Sequence, residues 1–273
     1  MKKALCVGVS SFRDPYVSPL AGAANDAVLL ATMLQRHYGF TAADVRLLTD
    51  ESATHSAIIS GLGWLTASAA PGDVLVFTLA THGTRTIDRD APPGPSGEAG
   101  GNEKIFLTYD CSTANYLLRD DVAAVLDRVP SGANCYCIID TCDIGPFYYS
   151  ARLDAAQEDR TPACSDSNVR YQNDVNAGWR AEDTSPDDTV NRVKISGCAD
   201  HERSYDLMLD TGSHGLFTHA LYHSLERHAW DMTVSAVYAE VTRQVTALAK
   251  SMNVKQTPQL RAPRRLMNNK IFR

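Results

Sequence analysis

Two segments of the 273-residue chain carry a base-type and a nucleophile-type side chain just behind apolar runs. Residues 74–79 lead into Ala80, Thr81, His82, Gly83 and Thr84, and residues 135–139 lead into Asp140, Thr141, Cys142, Asp143, Ile144 and Gly145. A thiol becomes a strong nucleophile only as thiolate, and a neighbouring imidazole is the usual means of producing it. If both runs are parallel strands of one sheet, His82 and Cys142 emerge on the same edge, as a cysteine–histidine dyad requires. Gly83 lets backbone approach such a site, and its amide, with that of Cys142, is placed to donate to the oxyanion of a tetrahedral intermediate. Either segment alone is weak evidence. A second His-Gly pair occurs at His214 and Gly215, and a cysteine that ends a buried strand is commonly structural.

The elements around these segments alternate. Apolar runs at 4–9, 45–48, 74–79, 135–139 and 193–197 do not alternate with polar residues, as expected of parallel strands buried on both faces. Helical periodicity spans 21–38, 56–69, 120–128, 215–227 and 234–250, with a last strand near 257–260. Strands alternating with helices predict right-handed βαβ units and an α/β fold with helices on both faces of a mainly parallel sheet. In such sheets reacting groups collect at the carboxyl ends of the strands. Residues 86–103, with Pro92, Pro93, Pro95 and four glycines, read as a loop. Residues 105–108 form a short strand, and a polar insertion covers about 146–192. We expect a single domain over 1–273.

Composition narrows the function. A net charge of −6 argues against a nucleic-acid partner, which needs a basic face. Arg261, Arg264 and Arg265 read as a solvated tail. No apolar run reaches the roughly 20 residues a membrane span needs, so the expectation is a cytoplasmic protein. The seven cysteines lack zinc-type spacing and read as reduced thiols, Cys135 and Cys137 being small buried apolar residues.

Seven collinear segments resemble the metacaspases and their bacterial relatives among the caspase-fold cysteine peptidases. Leu20, Ala21, Gly22, Ala23, Ala24, Asn25 and Asp26 resemble the family's Leu-x-Gly-x-x-Asn-Asp helix start, and residues 47–50 its Leu-Leu-Thr-Asp strand end. Residues 77–84 correspond to the strand bearing Ser-Gly-His-Gly, and 138–145 to that bearing Asp-x-Cys-His-Ser-Gly. Residues 195–200 resemble Ser-Gly-Cys-x-Asp, 215–220 Gly-x-Phe-Thr, and 256–260 Gln-Thr-Pro-Gln-Leu.

The resemblance implies a three-layer caspase-like fold around about six strands. It implies an endopeptidase that forms an acyl-enzyme on Cys142 with His82 as base. Asp26 and Asp140 would line a pocket for arginine or lysine of a protein substrate, with Ala80 and Asp206 beside it. Read without the family, Asp26 is a helix-start acid and Asp140 a turn former. Ala80, Thr81, Ala23 and Asp143-Ile144 depart from the motifs, and Asp143 would raise the thiol pKa if it faces inward. No cofactor is implied for the chemistry. Calcium is implied as an activator at Asp120 and Asp121, with Glu98 or Glu103, although Tyr148 or Tyr149 falls where the family has a further aspartate. The resemblance also implies a monomer, self-cleavage at Arg152, Arg160, Arg170, Arg180, Arg192 or Lys194, and a regulated stress or immune effector. The competing reading is a caspase-fold scaffold that binds a partner without cutting.

Overall fold

The computed structural model describes residues 1–87, 102–112, 115–141, 191–199, 202–209 and 212–273. Its centre is a six-stranded sheet of β1 (Lys2–Gly8), β2 (Val45–Thr49), β3 (Val74–Ala80), β7 (Asn134–Asp140), β8 (Val193–Ser196) and β11 (Gln259–Arg261), in the order β11-β8-β7-β3-β1-β2. All neighbours are parallel except β11, which runs antiparallel to β8. β3 is buried at every position, which explains its apolar run, interrupted only by Thr78.

Two apolar layers cover the sheet. On one face α1 (Ala23–His37), α4 (Leu216–Arg227) and α5 (Val234–Ser251) pack on Ala4, Cys6, Val76, Tyr136, Ile138 and Ile195. On the other, α2 (His55–Thr66) and α3 (Arg119–Leu126) pack on Leu5, Val7, Leu75, Phe77, Cys135 and Cys137. In α1, Ala27, Leu30, Ala31 and Leu34 recur at helical spacing to give the buried stripe, and Gly39, at φ 69°, lets the chain turn away after its end. Thr54 and Thr233 cap α2 and α5 by accepting hydrogen bonds from Ala57 N and Ala236 N.

Register is what positions the site. Gly8 pairs with Ala80, and Ala80 with Asp140, while Gly197 N donates to Ile139 O, so four strands end in one row. The chain reverses its direction of winding beside β1, with β2 to one side and β3 to the other, which places a crevice at these carboxyl ends. A Cβ on Gly8 would lie 2.2 Å from the Ala23 carbonyl oxygen, so glycine alone allows α1 to start this close to the strand end.

Three features differ from the sequence expectations. Both ends of the expected 86–103 loop belong to strands: β4 (Gly83–Ile87) pairs antiparallel with β5 (Asn102–Phe106), and β5 with β6 (Leu117–Leu118). The composition of the stretch between them masked these arms. A small hairpin, β9 (Asp206–Leu209) with β10 (Gly212–Gly215), was also not anticipated, because its strands are short and only Leu207, Met208 and Leu209 are apolar. The basic cluster is no solvated tail. Arg261 closes β11, and Arg264 and Arg265 open a short helix, α6 (Arg264–Met267), from which Arg265 Nη2 reaches Asn191 Oδ1 at 2.7 Å.

Candidate active site

His82 stands two residues beyond the end of β3, and Cys142 two beyond the end of β7. Because Ala80 and Asp140 are register partners, these two positions follow aligned ends of adjacent strands in the sequence. The described chain reaches Thr141; Cys142 itself, like most of the 146–192 insertion, lies outside the described residues. His82 is 2% exposed. Its ring stacks on Phe12 with centroids 5.3 Å apart, and its Nε2 lies 2.8 Å from the Ser18 carbonyl oxygen. A carbonyl can only accept, so in the neutral ring Nε2 carries the proton and Nδ1 is the basic atom. The flanking backbone is clamped: Thr81 Oγ1 donates to Leu107 O at 2.7 Å, and Leu107 N to His82 O at 2.9 Å. Gly83 begins β4, paired with Phe106.

Three buried carboxylates gather around the start of α4. A buried carboxylate survives only with hydrogen-bond donors around it, and each has them. Asp140, the last residue of β7, accepts from Ser204 Oγ at 2.6 Å, from Thr218 Oγ1 at 2.7 Å and from Thr218 N at 3.2 Å. It therefore does for α4 what a capping side chain does, from a distant part of the sequence. Asp26, in the first turn of α1, accepts from Gly215 N at 3.1 Å and faces His214 Nδ1 at 3.1 Å. Asp206 Oδ2 accepts from Ala21 N and Gly22 N at 3.1 and 3.0 Å, and Asp206 is paired with Gly215 across β9 and β10. The positive end of the α4 dipole points at this group. Asp26, Asp140 and Asp206 are thus brought together, while Ala80 lies buried against Leu20 and Ala23.

Several supporting residues escaped the sequence reading. Gln256 Nε2 donates to Gly197 O at 2.9 Å and Ser204 Oγ at 3.1 Å, and its Oε1 accepts from Tyr205 N, holding the segment that presents Ser204 to Asp140. Thr218 and Gln256 lay within recognised motifs without an assigned role. Ser18 and Ser204 carried no signal, since only the fold brings them to His82 and Asp140. Cys198, buried, donates its thiol to Thr141 O at 3.3 Å, just ahead of Cys142.

Asp120 and Asp121 are the described members of the ligand set that the resemblance implies for calcium. Arg119 Nε donates to Asp120 Oδ1 at 3.0 Å, both side chains being exposed, and no three His, Cys, Asp or Glu side chains gather among the described residues. Asp121 shares the first turn of α3. Glu98 lies outside the described residues, and the side chain of Glu103 is not described.

A sheet of this order, with two helical layers and a strand-end crevice, is the caspase fold. A caspase structure from Spodoptera frugiperda superposes with a TM-score of 0.58 at 15% identity, covering 96% of this chain and 86% of that one. A protein of Geobacter sulfurreducens superposes at 0.68 and 18% identity, covering 99% and 98%. The family model described as caspase domain matches residues 1–267, and the chain belongs to this peptidase family. Among its curated relatives, metacaspase-1 of Scheffersomyces stipitis is 32% identical over 163 residues, 55% of this chain and 39% of the relative. Metacaspase-2 of Arabidopsis thaliana is 27% identical over 238 residues, 83% of this chain and 52% of the relative. The chain therefore spans roughly two-fifths to a half of these relatives. Among the described residues no helix is long and apolar enough to cross a membrane.

Proposed function

We propose that this chain is a cysteine endopeptidase that cuts after arginine or lysine, with Cys142 as nucleophile and His82 as base. The observation that supports the reading is the Ala80–Asp140 register pair, which aligns the two strand ends that His82 and Cys142 follow in the sequence. His82 Nδ1 withdraws the thiol proton, and Cys142 Sγ attacks the scissile carbonyl carbon. The amides of Gly83 and Cys142 receive the developing oxyanion. The protonated imidazole then gives its proton to the leaving amine, and water, deprotonated by the same ring, releases the acyl group and restores the thiol.

Asp26 and Asp140 set the basic preference. Both are buried carboxylates at one helix terminus, and a guanidinium fork matches such a pair better than a point-like ammonium does, so arginine is preferred. Asp206 acts at one remove, through Ala21 and Gly22. The reaction needs no cofactor. Natural substrates are protein segments with exposed basic residues in the cell interior, and the enzyme acts as a monomer. If it cuts itself, the sites are Arg152, Arg160, Arg170 or Arg180, because Lys194 lies within β8 and Arg192 pairs with Asp127.

The test is turnover of fluorogenic peptides ending in Arg, Lys or Asp by the wild type and Cys142→Ala. We expect Arg to exceed Lys, no turnover after Asp, and none by the variant. Cleavage after Asp overturns the pocket assignment, and an active Cys142→Ala overturns the nucleophile.

A further inference from the structure

The second His-Gly pair, His214 and Gly215, closes β10 directly ahead of α4. Both of its residues donate to Asp26. Gly215 N reaches Oδ1 and Oδ2 at 3.1 Å each, and His214 Nδ1 reaches Oδ1 at 3.1 Å. A carboxylate only accepts, so Nδ1 of His214 carries a proton whether the ring is neutral or charged. In the neutral ring this is the tautomer opposite to that of His82.

The backbone presents this imidazole rigidly. His214 lies opposite Leu207 in the β9–β10 pair, and Asn25 Nδ2 donates to Ser213 O at 2.9 Å. The start of α1 closes on the same residue, since a Cβ on Gly22 would lie 2.8 Å from His214 Cα. The side chain of Asp26 is 1% exposed and that of His214 18%, so one ring reaches from a partly open surface to a buried acid. His214 also lines a cavity of about 300 Å³ with Val28, Met33, Arg36 and Tyr222, which leaves room to exchange its side chain without repacking the core.

The two donors act differently on the carboxylate. An amide shared between both oxygens leaves the group able to turn about its Cβ–Cγ bond, and a further donor on one oxygen removes that freedom. Bidentate pairing with a guanidinium depends on the plane of the carboxylate, whereas a point-like ammonium makes no such demand. We propose that His214 is a specificity-determining positioning residue. By donating from Nδ1 to Asp26 Oδ1 it fixes the plane of the pocket acid and creates the preference for arginine over lysine. The inference rests on the reading of Asp26 as a pocket acid and deepens it, and His214 acts through Asp26 on substrate binding.

His214→Asn and His214→Gln separate the two ring nitrogens, because the Asn amide nitrogen takes the place of Nδ1 and the Gln amide nitrogen that of Nε2. Both variants and the wild type are assayed on matched peptides ending in arginine and in lysine. For His214→Gln we expect kcat/KM after arginine to fall about tenfold, through KM, as for loss of one charge-assisted hydrogen bond. After lysine it should fall far less, and His214→Asn should restore the wild-type ratio of arginine to lysine. His214→Ala replaces His214→Gln if thermal melting shows that the latter does not fold. Isothermal titration of an acetylated peptide amide ending in arginine, into Cys142→Ala alone and with each His214 substitution, reads the same step without cleavage. Equal losses on arginine and lysine, a fall in kcat with KM unchanged, or equal effects of Asn and Gln overturn the inference and leave the peptidase reading intact. Arginine-peptide binding that weakens in His214→Gln and recovers in His214→Asn, in a chain whose wild type cleaves nothing, overturns the peptidase reading and supports the inference.

Discussion

Asp140 and Thr218, 78 positions apart, are joined twice: the carboxylate accepts from the Thr218 hydroxyl at 2.7 Å and from its amide at 3.2 Å. The residue that ends β7 is thus the cap of the helix behind it. On the proposed reading, substrate recognition and helix stability are carried by the same oxygen atoms.

Asp140→Ala is expected to cost about 3 kcal/mol of stability, because it removes charge-assisted bonds and strands the buried Ser204 and Thr218 donors. It should also lower kcat/KM on arginine peptides at least a hundredfold. Thr218→Val keeps the amide bond and should cost only about 1 kcal/mol, with KM nearly unchanged. Urea unfolding in a Cys142→Ala background and steady-state kinetics of the single variants measure both. Equal effects of the two substitutions would contradict the dual role of Asp140.

Gly197→Ala tests the same carboxylate from its other side. A Cβ there would lie 2.9 Å from Asp140 Oδ1 and 3.2 Å from Phe217 Cβ, so the carboxylate must shift. The expected loss of stability is about 1–3 kcal/mol, accompanied by a raised KM for arginine substrates and little change in kcat. An unchanged KM would show that Asp140 is not a substrate contact.

Gln256→Ala removes one side chain that holds three partners, Gly197 O, Ser204 Oγ and Tyr205 N. Leaving these buried groups unmatched should cost roughly 2–4 kcal/mol. Hydrogen exchange should quicken at Tyr205 while the amides of β1 and β3 stay protected. Unaltered exchange at Tyr205 would remove the anchoring role.

His219 gives the fold an acid limit. Burial, with the charges of His223, His214 and Arg227, pushes its pKa from 6.5 down to about 4. In the unfolded chain it takes up a proton as pH falls through 6.5, whereas the folded chain resists until about 4. The unfolded state binds more protons in that window, so stability falls with decreasing pH between them. Melting curves from pH 7.5 to 4.5 should therefore be less steep in pH for Cys142→Ala/His219→Gln than for Cys142→Ala alone. Parallel curves would place the sensitivity elsewhere.

The strands and helices were legible because burial leaves a strong mark: β3 is apolar at nearly every position, and α1 repeats its buried residues at helical spacing. The β9–β10 hairpin was not, since residues 206–209 and 212–215 show neither period and are defined by their contact with the start of α1. At the site, His82 was visible as a base-type group beyond a strand end, and Asp140 as a pocket acid only through the family resemblance. The tautomer of His82 depends on the Ser18 carbonyl, and the setting of Asp140 on Ser204 and Thr218, contacts that span tens of residues and leave no local pattern. Arg261 was misread because the last strand, expected near 257–260, runs one residue past its apolar positions.

The hold of Gln256 on Gly197 and Ser204 also bears on the order of events during synthesis. Asp26 and His82 leave the ribosome early, but the prop behind Asp140 comes from far downstream of it. A peptidase released half-made would threaten every neighbouring nascent protein. Here the segment that presents Ser204 to Asp140 stays unanchored until Gln256 has been made, so the order of synthesis itself acts as a safety catch.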